Sequence, residues 1–181
     1  MKKKIVIGLG VVLILIVGIL LYLNLVANKR SPEQTVKSSF QGLDVAVVYC
    51  RPYKKGRLIF GEKSAGALQP YGEYWRLGAN AATQISFSKN ANFGGKPVKA
   101  GTYRMYAVPG ADTWQVALNS ELGKWGYSPP DYSFDVLKVD VPADTGLDME
   151  QFTITLSSDS SAMLMEFAWD KTRVTVPIAP Q

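Results

Sequence analysis

The stretch TQISFS, residues 83–88, alternates apolar and polar side chains and decides the fold class. On a β-strand, Ile85 and Phe87 face one side of the sheet, while the intervening glutamine and serines face the other. The same period of two continues over residues 102–108 and 114–119, which a Pro-Gly turn separates. This pattern favours strands over helices in this part of the chain.

Alternating segments extend in both directions from this stretch. Further strands are predicted at residues 43–49, 136–141, 152–156, 162–169 and 173–178. We expect a hairpin turn over residues 92–96 and a tight connection at residues 170–171. Short strands separated by turn signals predict an all-β domain, an antiparallel β-sandwich (jelly-roll or Greek-key-like) of about eight or nine strands. The predicted core is Ile85, Phe87, Tyr103, Met105, Trp114, Val116, Leu118, Leu137, Val139, Phe152, Ile154, Met163, Met165, Phe167, Val174 and Val176.

The N-terminal segment has a different composition. Residues 5–27 contain no charge, and as a helix they would be roughly 34 Å long, enough to cross a hydrocarbon core of about 30 Å. Three lysines precede them and a Lys-Arg pair follows, which predicts one transmembrane helix with its N-terminus in the cytoplasm. A cleaved signal peptide with a secreted domain is the alternative, although its apolar part normally has about 7–15 residues. The predicted organisation is a cytoplasmic tip, a transmembrane signal anchor, a linker and an extracytoplasmic (periplasmic or extracellular) β-sandwich domain: residues 1–4, 5–27, 28–42 and 43–181.

The composition excludes several classes of site. The 181 residues include no histidine, which removes the commonest general base and the commonest metal ligand. The one cysteine cannot form an internal disulfide or a cysteine-based zinc site. We therefore predict no metal and no cofactor. Five of the 20 Lys and Arg residues flank the apolar segment, so the remainder of the chain is formally neutral against 15 Asp and Glu, and no nucleic-acid partner is expected.

Residues 49–80 lack clear alternation but are rich in arginine, aromatic residues and glycine. This composition predicts a tightly folded segment packed against the sandwich, with Cys50 as a small buried side chain. Arginine offers paired donors to a carboxylate or phosphate, and tryptophan offers a stacking face. The candidate ligand-binding residues of this segment are Arg51, Arg57, Trp75, Arg76 and Asn80.

The same segment resembles a known bacterial family. Residues 49–52 read YCRP, residues 56–61 read GRLIFG and residues 75–80 read WRLGAN. Together with AGTY at 100–103 and WG at 125–126, these motifs are similar to those of domain of unknown function 2911 (DUF2911). The resemblance covers about residues 43–178. It implies a secreted or envelope-anchored β domain, and it implies no activity.

Three functions are consistent with these residues. The domain could be a binding module of the cell envelope that recognises an envelope glycan, a small anion or an envelope protein. It could be structural, with its arginines paired internally to Asp44, Glu73 or Asp135. It could also be a histidine-free hydrolase of an envelope glycan or small anionic substrate, with Glu73, Asp131 or Asp135 as acid and base. We expect a structural or ligand-binding role at the membrane rather than catalysis.

Overall fold

The computed structural model describes residues 2–181, except for the side chains of residues 2–9, 11, 24 and 27–29. Over this part of the chain there are one α-helix, eleven strands and two short 3₁₀ helices. The helix is α1 (Lys2–Arg30), and the 3₁₀ turns are Lys63–Ala65 and Tyr132–Phe134. The strands are β1 (Glu33–Phe40), β2 (Leu43–Cys50), β3 (Phe60–Gly61), β4 (Gln69–Pro70), β5 (Gln84–Phe87), β6 (Ala91–Phe93), β7 (Lys96–Val98), β8 (Gly101–Val108), β9 (Thr113–Asn119), β10 (Asp135–Ser158) and β11 (Met163–Pro180).

The helix α1 covers the apolar N-terminal segment. Among the residues that the structure describes, no helix is both long enough and apolar enough to cross a membrane. The predicted transmembrane anchor, residues 5–27, includes side chains that lie outside the described residues. The anchor therefore stays a prediction.

Nine strands form one antiparallel sheet in the order β1-β2-β5-β8-β9-β10-β11-β6-β7, and β3 pairs with β4 in a small parallel ribbon. The long strand β10 belongs to both halves of the large sheet. Its first part, from Asp135 to Pro142, pairs with β9, and its later part, from Ala143 to Ser158, pairs with β11. The prediction of a mainly antiparallel β domain is confirmed, with eleven strands instead of eight or nine.

Side chains from the two halves of the sheet meet in one core. The hydroxyl of Tyr49 on β2 accepts a hydrogen bond of 2.8 Å from the backbone N–H of Ile154 on β10. The rings of Phe87 on β5 and Phe93 on β6 are 6.2 Å apart in an edge-to-face arrangement. All sixteen residues predicted for the core are buried. Alternation is a local property of a strand, so the sequence was sufficient to predict which side chains point inward.

The segment predicted as a linker contains strand β1. Each of its eight residues has a partner on β2, from Glu33 opposite Cys50 to Phe40 opposite Leu43. Its inward side chains are only half buried, and Val36 and Phe40 pack on the core. An edge strand of this kind carries polar residues on its outer face, and for that reason its composition resembled that of a linker.

Four predicted strands are parts of two long ones. The strands predicted at 136–141 and 152–156 join in β10, and those predicted at 162–169 and 173–178 join in β11. The prediction of a tight connection at residues 170–171 is wrong. Asp170 instead lies within β11 with φ of +52°, opposite Met149, where the pairing of β10 and β11 shifts register. A β-bulge bends a strand without ending it, and local turn signals do not distinguish the two cases.

Candidate functional site

The segment between β2 and β5 packs against the sheet, as the sequence predicts. Trp75 and Ala107 on β8 exchange two backbone hydrogen bonds, of 2.8 and 2.9 Å, in an isolated bridge. Tyr53 forms a second bridge with Gln151 on β10. Cys50, at the start of this segment, is 3% exposed, which confirms its prediction as a buried side chain. Burial and the nearby Glu33 carboxylate raise the pKa of the Cys50 thiol.

A tight turn at residues 77–80 directs the side chains of this segment. Leu77 and Asn80 both have left-handed backbone conformations, with φ of +52° and +56°. Between them Gly78 has φ of +147°, and a Cβ atom there would lie 2.6 Å from the carbonyl oxygen of Cys50. The Thr83 hydroxyl donates to the carbonyl of Leu77 at 2.6 Å and holds the turn. Only glycine fits the position of Gly78.

Trp75 lies inside the aromatic core. It is 2% exposed, stacks on Trp169 with 5.7 Å between ring centroids and meets Trp114 edge-on at 5.6 Å. Its indole N–H donates to the carbonyl of Gly78 at 3.2 Å. Trp75 was predicted to stack on a ligand, but most of its ring packs in the core. Only one edge of the ring reaches a cavity beside this segment.

Arg76 follows Trp75 and is half buried. Its Nη1 donates to the carbonyl oxygen of Asn80 at 2.9 Å, and its guanidinium lies 5.8 Å from the centroid of the Tyr127 ring. Among the described residues, no carboxylate oxygen lies within 4.0 Å of this guanidinium; Glu73 pairs instead with Lys63. Burial lowers the pKa of Arg76. Its charge is therefore partly desolvated without a carboxylate partner.

The other three predicted residues have different roles. Arg51 donates to the carbonyl oxygen of Phe152 at 3.1 Å and to the Thr153 hydroxyl at 2.8 Å, which joins the segment to β10. The amide of Asn80 donates to the carbonyl of Ser31 at 3.3 Å. Arg57 is exposed and donates to carbonyl oxygens within its own loop. Arg51 and Asn80 thus connect this segment to other parts of the domain by hydrogen bonds.

A cavity of about 600 Å³ opens between this segment and the end of α1. Of the predicted residues, Arg57, Trp75 and Arg76 line it, and Arg51 and Asn80 do not. Four cationic side chains line the cavity: Arg30, Lys55, Arg57 and Arg76. Five aromatic side chains line it as well: Tyr53, Tyr74, Trp75, Tyr127 and Trp169. Its described lining includes no aspartate or glutamate, so its electrostatic potential favours an anion.

The comparison with family models matches residues 31–178 to the family described as "Protein of unknown function (DUF2911)". The chain belongs to the DUF2911 family. The match begins at Ser31 and includes strand β1, and it contains all of the cavity lining except Arg30. Comparisons with curated proteins and with solved structures find no match.

One wall of the cavity in this DUF2911 domain depends on Arg104, which is not among the residues predicted from the sequence. Arg104 is 2% exposed, and its Nη2 donates to the Tyr74 hydroxyl and to the carbonyl of Ser128, both at 2.6 Å. Tyr74 in turn donates to the carbonyl of Gly126 at 3.0 Å. These bonds fix the turn that carries Tyr127 beside Arg76. Burial raises the pKa of Tyr74.

Gly126 permits this close approach. A Cβ atom at this position would lie 2.8 Å from Cδ of Arg76 and 3.0 Å from Cα of Ala82. The sequence signal for this wall was present in residues 121–134, which combine four aromatic residues with a Pro-Pro pair.

The carboxylates considered for catalysis lie elsewhere in the domain. Asp135 accepts hydrogen bonds of 2.7 Å from both Tyr106 and Asn119, and it pairs with Lys138 at 2.9 Å. Asp131 accepts from Ser133 at the start of the second 3₁₀ turn. Within the described part of the chain, no group of three potential ligands could hold a metal ion. Asp131 and Asp135 are thus engaged in hydrogen bonds or ion pairs with other residues of the domain.

Proposed function

We propose that the protein is a binding module for a small anionic ligand, held at the outer side of a membrane by its N-terminal helix. Arg76 carries the binding part of this proposal. Its guanidinium is half buried, lacks a carboxylate within 4.0 Å among the described residues and lines a cavity with three other cations. A desolvated cation is costly unless it is paired, and a ligand carboxylate or phosphate would supply the missing partner.

The membrane part of the proposal is supported by the N-terminal helix itself. Residues 5–27 carry no charge. The large apolar side chains described between Val12 and Leu25 are 48% to 72% exposed. A continuous apolar surface of this size marks contact with lipid or protein. The flanking lysines favour the orientation with the β domain outside.

The sandwich is the scaffold in this proposal. We interpret the folded sheet as two layers that share β10, with the cavity built by the segment after β2. The hydrolase alternative receives no support from the site, because Glu73, Asp131 and Asp135 do not line the cavity. Binding is therefore the function proposed for this site.

Titration calorimetry on the full chain in neutral detergent micelles tests the binding proposal. Inorganic phosphate and citrate serve as probes, and we expect the affinity of at least one to fall about tenfold or more in Arg76→Ala. Lys99→Ala is the matched control, because Lys99 is exposed and does not line the cavity. Equal loss in both variants would contradict the proposal, and so would a failure to bind any of the anions tested, free or as part of a lipid.

A further inference from the structure

We infer that the ligand of the cationic cavity is the phosphate-bearing headgroup of an anionic phospholipid in the membrane that holds α1. This inference rests on the proposed function and names the ligand class for it. The first observation in favour of a lipid is that the cavity lies next to the end of α1. Arg30, the last residue of α1, and Ser31, the next residue, both line the cavity.

The helix joins the β domain without a flexible linker. Ser31 is 9% exposed, and its carbonyl accepts from the amide of Asn80 at 3.3 Å. The carbonyl of Pro32 accepts from the backbone N–H of Arg51 at 2.9 Å, and β1 begins at Glu33. Ser31 and Pro32 are thus held to the domain directly after the helix ends, which keeps the cavity next to the end of α1.

The spacing along the helix matches the depth of a lipid headgroup layer. The uncharged segment ends at Ala27, and Arg30 follows three residues later. At about 1.5 Å per residue this places Arg30 about 4.5 Å beyond the apolar segment. The headgroup layer on each side of a bilayer is about 5–7 Å thick. If the apolar segment fills the hydrocarbon core, Arg30 and the cavity lie at the level of the lipid phosphates.

The lining of the cavity suits a lipid better than a free anion. Lys55, Arg57 and Arg76 provide donors for phosphate oxygens. Tyr127, which is 78% exposed, and Leu68, which is 37% exposed, line the same cavity. Tyrosine and tryptophan are enriched at the level of membrane headgroups, and lysine and arginine side chains close to an anionic membrane surface are attracted to it. A free phosphate shares the charge but would leave this apolar rim in water.

The test uses the full chain in lipid nanodiscs. Nanodiscs of equimolar phosphatidylcholine and phosphatidylglycerol are dissolved in mild detergent, and the lipids retained by the protein are counted by native mass spectrometry. We expect wild-type protein to retain phosphatidylglycerol over phosphatidylcholine. Arg76→Ala should reduce that retention about tenfold or more, and Lys99→Ala should leave it unchanged. Lys55→Ala removes an exposed cavity cation whose side chain makes no hydrogen bond or ion pair among the described residues, so its loss of retention does not depend on repacking.

The outcomes separate this inference from the function on which it rests. Selective retention that the cavity variants abolish supports the lipid ligand. If wild-type protein binds inorganic phosphate in detergent but shows no preference for phosphatidylglycerol, the lipid ligand is overturned and the binding function stands. If it binds neither, both are overturned. Selective retention that persists in all cavity variants would also overturn the inference, because the lipid would then bind elsewhere.

Discussion

The guanidinium of Arg76 lies 5.8 Å from the centroid of the Tyr127 ring, and both side chains line the same cavity. The ring offers its electron-rich face to the cation, an interaction of about 0.5–2 kcal/mol that leaves the hydrogen-bond donors of the guanidinium usable. One donor reaches the carbonyl of Asn80. A side chain held in this way is oriented by the fold and can still bind an anion.

Residues 31–181 should fold without the helix. The nine-stranded sheet and its core lie within this range, and the family match begins at residue 31. We expect a soluble fragment with a cooperative urea transition and a circular dichroism spectrum dominated by β structure. A fragment that aggregates or unfolds without cooperativity would show that α1 is part of the folding unit.

Arg51→Met and Arg76→Met should differ in their effect on stability. Arg51→Met leaves the carbonyl of Phe152 without its side-chain donor, so we expect a loss of about 1–3 kcal/mol in the free energy of unfolding. Arg76→Met removes a half-buried charge with no carboxylate within 4.0 Å among the described residues, and the Asn80 carbonyl that it releases keeps the bond from the backbone N–H of Gly126 at 3.2 Å. We therefore expect a change below about 1 kcal/mol. Urea denaturation of the 31–181 fragment measures both. Equal losses in the two variants would contradict the distinction between a structural and a ligand-facing arginine.

Gly78→Ala should strongly destabilise the domain. Its Cβ atom would lie 2.6 Å from the carbonyl oxygen of Cys50, at a φ of +147° that other residues rarely adopt. We expect a loss of more than about 2 kcal/mol in the free energy of unfolding. Gly95→Ala is the control: its φ is +81°, but a Cβ atom there meets nothing within 4 Å, so the loss should be about 1–2 kcal/mol. A smaller loss at Gly78 than at Gly95 would mean that the turn can relax.

Stability should fall at alkaline pH, in part through Tyr106. Burial and then the hydrogen bond to the Asp135 carboxylate raise the pKa of Tyr106 above its ordinary value of about 10. Above that pH the unfolded chain loses the Tyr106 proton while the folded domain retains it, so stability declines as pH rises. Tyr106→Phe should make the decline shallower, whereas Tyr127→Phe, at an exposed position, should not. Urea midpoints measured from about pH 8 to about pH 11 test this, and identical slopes in both variants would contradict it.

The full chain should remain with membranes after an alkaline carbonate wash, because residues 5–27 are apolar throughout. The 31–181 fragment, expressed with a cleavable export signal, is the control and should appear in the soluble fraction. A mature protein that begins near residue 28 and is free of membranes would contradict the anchor. It would favour the cleaved signal peptide.

The sequence alone determined the β class, the core and the packing of the arginine-rich segment against the sheet. Side-chain alternation along a strand is a local property, so Ile85 and Phe87 could be placed inside before any pairing was known. The motifs of the sequence also indicated the DUF2911 family, which the match over residues 31–178 confirms. Arg57, Trp75 and Arg76 were identified as candidates from composition, and all three line the cavity.

Only the tertiary structure decided which arginines are engaged within the fold. The acceptor of Arg51 is a backbone carbonyl on β10, 101 residues away, and every residue type carries such a carbonyl. The burial of Arg104 has a similar origin, because its side of β8 is covered by the distant stretch that contains Ser128. Backbone acceptors and covering loops leave no pattern near the side chain that uses them. Only the folded chain therefore showed that Arg76 is a half-buried cation of the cavity with no carboxylate oxygen within 4.0 Å among the described residues.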